Sequence, residues 1–525
     1  MKLERIQESV PIAFTIFCGL FLALICGYLF GNEEGQKAGA IIATIMVIAF
    51  LLVVRERIWM VIPAWWMLGG KVSVLPLPFT VAQLGIALAF VMFLILKALK
   101  IVRFKPKIGI LEIWMLIMLA YVGTVYLRNP VGVEALGSDR VGGKPYVDIL
   151  IACAGYWVLA RVVVTVRQAF WVPLLGLFGS SVHAVLNFLA DRYPFLVGPM
   201  SSLYSGISAA EALADPLTPL PEASSRFAYL QGLGSGLATV ACAFWRPITL
   251  LNPLRFGRFL VFMLAVVCVL LSGFRSNLIG VFELFLLSSY FRRGWGEVFR
   301  VSGLAAGAVG FLILLQGNVI DLPIPAQRAL SFLPGQWEEA AKMEAQGSTE
   351  WRLDMWKAML DGDKYIKNKW LGDGYGFTHY QLETMTANAF GGMASDAQEN
   401  LLITGGVHSG PISAIRYVGY VGLAIFLTLL VLAAFRAARL IRRAQGTPYF
   451  PMALWMGLGT ILLPINFVFI FGAFENDFPS TIVTIGFLRM LENSLDTYEA
   501  VSKKAAPEVI QPPKFRSRPQ FAPAG

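Results

Sequence analysis

Charge is scarce in this chain. Only 14% of its 525 residues are Asp, Glu, Lys or Arg, while 57% are hydrophobic and the mean hydropathy is +0.65. A soluble domain carries about 25% charge and could not bury so much apolar surface. Histidine and cysteine are sparse as well. His183, His379 and His408 are too few and too scattered for a zinc cluster, which takes about four ligands at recognisable spacing. The five cysteines, Cys18, Cys26, Cys153, Cys242 and Cys268, lie inside or at the edge of apolar segments without a CxxC spacing, so neither a disulfide framework nor a thiolate metal site is expected. Chemistry here is expected to need no cofactor and no metal, unless a divalent ion is held by the substrate.

What the chain has in abundance is long apolar runs, recurring from end to end, each able to cross roughly 30 Å of hydrocarbon as a helix. The runs are continuous rather than alternating, which excludes a barrel and leaves helices that satisfy their own backbone. The expectation is an all-α, polytopic integral membrane protein in a lipid bilayer, with about 12–14 transmembrane helices and a large extracytoplasmic loop. Lys and Arg number 43 against 33 Asp and Glu, a net charge of +10, and in such a protein that excess belongs in cytoplasmic loops rather than in a groove for nucleic acid.

The first run, 11–31, follows Lys2 and Arg5 and is longer than a signal-peptide core, so it is expected to stay as an anchor. Basic clusters then recur on alternate sides: Arg55 and Arg57, Lys97 to Lys107, Arg161 and Arg167, Arg246 to Arg258, Arg292 to Arg300, Arg436 to Arg443, and Lys503 with Lys504. Placing all of them in the cytoplasm puts both termini inside. The division that follows is an N-terminal transmembrane bundle over 1–315 with an outer loop at 190–226, a large outer loop at 316–411, C-terminal spans over 412–491 and a disordered tail at 492–525. The larger loop holds amphipathic pattern in two pieces, one from Trp337 to Ala345 and one marked by Trp351, Met355, Trp356 and Met359. The second is expected to start at a Ser348 or Thr349 cap and to lie on the membrane interface.

Four places carry candidate chemistry. Arg275 sits in LLSGFRSNLIG between two apolar runs; it reads either as an interfacial arginine that snorkels or, because Ser272, Gly273, Ser276 and Asn277 mark a helix break, as a cation for a phosphate or pyrophosphate. Arg352 in STEWRLDMWKAML reads either as a solvated residue paired with Asp354 or Asp361 or as a lipid-phosphate contact beside two tryptophans. In KWLGDGYGFTHY, Gly372, Gly374 and Gly376 allow positive φ and stand among aromatic residues that could stack on a sugar; no strand precedes them, which excludes a nucleotide fingerprint. His408 stands just ahead of a span expected at 415–432. It reads either as a structural hydrogen-bonding group or as a proton acceptor near neutral pH, and Arg416 behind it reads as a snorkelling residue or a further phosphate clamp. His379, Arg161 and Glu283 are assigned no role.

The SGFRSN break, the long loop containing WRLDMW and LGDGYGF, and VHSGPISAIRYVGYVGL entering a span together resemble the O-antigen ligase and O-antigen polymerase superfamily, over about 271–426. Two positions differ from the pattern common there: Arg275 is followed by serine rather than preceded by it, and Ser409 follows His408 where asparagine is usual. The resemblance implies a metal-independent glycosyltransferase that moves a glycan from a polyprenyl-diphosphate carrier to a hydroxyl of a lipid, glycan or protein acceptor. It implies work at the periplasmic face of a bacterial inner membrane, in cell-surface polysaccharide or lipopolysaccharide biosynthesis. Arg275 and Arg352 would stabilise the leaving diphosphate, His408 would take the acceptor proton, and Arg416, Gly374 and Gly376 would contribute to binding. A polymerase of the same superfamily uses the same donor chemistry. A flippase or polysaccharide transporter is the rival of another class and would have ionisable residues at several mid-membrane positions and short loops.

Overall fold

The computed structural model describes residues 54–66, 68–72, 79–100, 108–131, 142–207, 226–376, 402 and 407–505. The first expected span, His379 and the residues from 506 onward lie outside them. The protein is an all-α, multi-pass membrane protein. Its helices, in chain order, are α1 (Val61–Trp65), α2 (Val81–Ala98), α3 (Ile110–Arg128), α4 (Lys144–Leu159), α5 (Val166–Arg192), α6 (Val197–Leu203), α7 (Leu230–Phe244) and α8 (Pro247–Leu250). They continue as α9 (Phe256–Ser272), α10 (Arg275–Arg293), α11 (Trp295–Leu315), α12 (Ile324–Leu330), α13 (Glu339–Leu360), α14 (Gly410–Ala444), α15 (Phe450–Ile465) and α16 (Phe474–Ala505). Among the described residues, α2, α3, α5, α11, α14 and the stretch Phe450–Ile470 are long and apolar enough to cross a membrane, and α7 and α9 are shorter apolar helices.

The core is one continuous apolar cluster in which α14 runs along α15, α7 along α9, and α4 along α16. Small residues let these helices approach: a Cβ on Gly234 would meet the backbone of α9 at 3.0 Å, and one on Gly486 the Tyr156 Cα of α4 at 3.0 Å. Helix α11 differs, with only 11% of its apolar window buried, so its side chains are left for lipid.

Connectivity sorts the helix termini into two ends. One is basic: α9, α11 and α15 start there and α7, α10, α14 and α16 finish there, gathering Arg246, Arg255, Arg258, Arg292, Arg293, Arg300, Arg436, Arg442 and Arg443. The opposite end carries the starts of α10, α14 and α16 together with α12 and α13.

Three elements depart from the pattern read in the sequence. Hydropathy also predicts a span over 59–75; its helix α1 ends at Trp65, and among the described residues that follow, Lys71 bridges to Thr80 and Val72 to Tyr204 instead of continuing the helix. Helix α13 is unbroken from Glu339 to Leu360, so no cap forms at Ser348 or Thr349. Its Trp and Met face is covered by protein rather than membrane: Met355 and Met359 are fully buried in a satellite core with Ile366, Leu402, Val407, Ile412 and Ile415. The C-terminal helix continues past residue 491 to Ala505 because its far turns still have partners: Ser494 and Leu495 are fully buried, Ser494 Oγ accepts the Val164 N–H at 2.8 Å, and Arg443 pairs with Asp496 and Glu499 at 2.7 Å each.

Candidate functional site

At the end opposite the basic one, α9 stops at Gly273, whose φ of +71° is a left-handed cap that a Cβ would strain. Phe274 is extended and Arg275 opens α10, so the break read in SGFRSN is a tight reversal between two antiparallel helices. The reversal is held from both sides. Ser272 Oγ donates to the Val269 carbonyl at 2.7 Å, and Gln231 of α7 donates to Asn277 Oδ1 at 3.2 Å. The stem of Arg226 lies where a Gly273 Cβ would meet it at 3.2 Å, and burial lowers the pKa of its guanidinium.

Helix α13 brings in Arg352. Its buried methionines pin one face, Trp356 donates its indole N–H to the Val407 carbonyl at 3.0 Å, and Arg352 is left half-buried on a neighbouring face. The Arg352 guanidinium has its pKa lowered, by burial first and by the nearby positive charge of Arg275 second. Two cations this close favour an anion bearing more than one charge.

The Trp356 bond fixes the residue next to His408. His408 has φ +52°, a left-handed backbone uncommon for any residue but glycine, although His joins Asn and Asp in adopting it more often than other side chains do. Its imidazole lies between the Phe471 ring, at 5.2 Å and 30°, and the Trp351 ring, at 6.1 Å. Phe471 reaches it because α15, after Pro464, widens into a π-helical turn over Asn466–Ile470, a distortion frequent at functional sites.

One cavity of about 430 Å³ has Phe274, Ser276 and Asn277 on one wall, Arg352 and His408 on another, and Asn466 and Phe471 on a third; Arg275 does not line it but lies near enough for its charge to act on Arg352. Asn277 Nδ2 and Asn466 Oδ1 are buried amide atoms without a hydrogen-bond partner among the described residues, a donor and an acceptor suited to a ligand. Among the described residues no cluster of three His, Cys, Asp or Glu could hold a metal ion. No known protein family and no curated protein matches this chain.

The other three sequence candidates lie elsewhere. Arg416 is 2% exposed; its Nη1 donates to the Leu402 carbonyl at 3.0 Å, its charge is felt by Asp373 and Glu475, and it does not line the cavity. Gly374 has φ +73°, its N–H donates to the Tyr417 carbonyl at 3.0 Å, and a Cβ there would meet Tyr146 Oη at 3.2 Å. Gly376 packs against Asn129, whose amide would lie 2.8 Å from an added Cβ. The glycine turn thus docks on α3, α4 and the start of α14.

Sequence reading passed over Gln231, Ser235 and Asn466. Each is a polar residue isolated within an apolar run, and that isolation was the available signal.

Proposed function

We propose that the protein is an O-antigen ligase-like glycosyltransferase, which moves a glycan from a polyprenyl-diphosphate carrier to an acceptor hydroxyl at the outer face of the bacterial inner membrane. The observation that carries this reading is that Arg352 and His408, from separate elements, line one cavity at the end of the bundle away from its arginine clusters, with Arg275 close enough for its charge to act on Arg352 and placed between the lining residues Phe274 and Ser276. The positive-inside rule supports an outward-facing cavity, since the opposite end collects the basic residues.

In the proposed reaction the sugar C1–O bond to the diphosphate breaks and a new C1–O bond forms to the acceptor. The electron pair of the broken bond leaves with the polyprenyl diphosphate, where Arg275 and Arg352 meet the growing negative charge. The acceptor hydroxyl gives its proton to the His408 imidazole, a group whose ordinary pKa suits transfer near neutral pH. The orphan amide atoms of Asn277 and Asn466 supply hydrogen bonds to the sugar or its phosphate.

The test is reconstituted transfer from polyprenyl-diphosphate-linked oligosaccharide to candidate acceptors, comparing wild type with His408→Ala and Arg275→Ala at equal folded yield. Release of polyprenyl diphosphate with glycan transfer, lost in both variants, is expected, and the product separates a ligase from a polymerase. Movement of labelled lipid-linked glycan across the bilayer with no donor consumed would replace this reading with a flippase.

A further inference from the structure

A second cavity, of about 380 Å³, lies at the same end of the bundle, between the first turns of α2, α4 and α16. Its walls include Gln83, Asp148, Glu475, Asn476, Ser480 and the indole of Trp66. The carboxylates are neutralised from behind. Asp148 accepts from Gln83 Nε2 at 2.7 Å and from Lys144 Nζ at 3.4 Å, and Lys144 is itself 3% exposed. Glu475 is 4% exposed and lies within electrostatic reach of the buried Arg416.

That arrangement has a definite chemical meaning. A carboxylate held rigidly by an internal cation adds little net charge to a pocket but keeps lone pairs that accept hydrogen bonds strongly. Ligands that donate several O–H groups and carry no negative charge suit it. The Trp66 ring, the Ser480 hydroxyl and the Asn476 amide add a flat apolar face and further donors and acceptors. We propose that this cavity is a saccharide-binding site for a neutral sugar, recognised through its hydroxyl groups by Asp148 and Glu475.

The two cavities are neighbours along the chain. Phe471 lines the first and Glu475 the second, and four residues of extended chain reach at most about 14 Å. They differ in charge: the first presents Arg352, with the charge of Arg275 nearby, and the second two countered carboxylates. A diphosphate-bearing ligand is directed to one and an uncharged glycan to the other. Identifying this second ligand as the acceptor of the transfer rests on the transferase reading; the binding of a neutral sugar does not.

The experiment is saturation-transfer NMR on the full chain in lipid nanodiscs, with glucose, N-acetylglucosamine and glucuronate as probes and no lipid-linked donor present. Saturable binding of the neutral sugars over glucuronate is expected, weakened by about tenfold or more in Asp148→Asn and Glu475→Gln. Ser480→Trp, which fills the cavity without replacing either carboxylate, should abolish binding, while His408→Ala should retain it. Thermal unfolding of each variant separates lost binding from lost fold. Absence of sugar binding in wild type, equal binding of glucuronate, or loss in His408→Ala with retention in Ser480→Trp would overturn the proposal. Because no donor is present, a failed transfer assay leaves this result unaffected.

Discussion

His408 combines two properties that separate substitutions can tell apart. Its left-handed backbone costs about 1–2 kcal/mol for a residue bearing a Cβ, so His408→Gly is expected to unfold at a higher temperature than His408→Ala by about that energy. Both lack the imidazole, so both should lose transfer by about 10²–10⁴-fold, and a variant that recovers stability without activity assigns the loss to the ring. Asp477 offers a second residue-scale test. Burial pushes its carboxyl up from 3.8 to about 6, although it accepts the Ala473 N–H at 2.8 Å. A raised carboxyl favours the protonated form, so its contribution to stability is full below about pH 4 and is lost as pH rises through 6. Asp477→Asn keeps an acceptor for Ala473 and has no charge to bury. Its advantage over wild type in thermal unfolding should therefore grow between about pH 4 and about pH 6, up to about 3 kcal/mol, and stay level above about pH 7. At this scale the sequence was partly legible. Arg275 and His408 stood out because small residues interrupt apolar runs beside them. Asn277 and Asn466 gained their meaning only when a neighbouring helix left an amide atom buried without a partner.

Among the elements, α14 depends most on one residue. Gly419 has φ +69° inside the helix, and the kink there lets the 367–374 turn enter: the N–H of Asp373 donates to the Arg416 carbonyl at 2.8 Å and that of Tyr420 to the Lys369 carbonyl at 2.9 Å. An added Cβ would lie 2.3 Å from the Trp370 carbonyl oxygen and 2.5 Å from the Gly372 nitrogen. Gly419→Ala is expected to cost about 2–4 kcal/mol and to remove amide-exchange protection from the turn. Gly307→Ala on the lipid side of α11, with open space around it, should be neutral or stabilising by up to about 1 kcal/mol. The glycines of LGDGYGF were visible as turn residues, but helical periodicity alone could not reveal that they close on a kink in α14. The same limit applies to α13. Its Met and Trp face was correctly periodic, yet a periodic apolar face does not say whether lipid or protein covers it, and here Leu402, Val407 and Ile412 do.

At the scale of the molecule, the two ends have different work. The fold class and the basic clusters were legible because hydropathy and charge placement are local properties of the chain, whereas ionic contacts between distant helices are not. Glu112 in the first turn of α3 accepts from Arg489 of α16 at 2.6 Å, Arg489 also reaches Glu492 at 2.7 Å, and Glu492 pairs with Arg436 of α14. The side chains of Arg489 and Glu112 are 10% and 4% exposed. Removing one partner leaves a buried charge uncompensated, so Arg489→Met should cost about 3–5 kcal/mol, while Glu112→Gln with Arg489→Met should recover most of it. This clasp sits toward the basic end of α16, and the first turn of the same helix carries Glu475 and Asn476 into the second cavity. Two outcomes can be distinguished by measuring ligand affinity well below the unfolding temperature. If α16 behaves as a rigid rod pinned at several heights, Arg489→Met lowers the unfolding temperature and leaves sugar affinity unchanged. If the clasp also sets the tilt of α16, affinity for neutral sugars falls in the single variant and returns in the double one. The rigid outcome is expected, because α4 packs along α16 and the buried Phe474 and Phe478 anchor its first turns independently of the clasp.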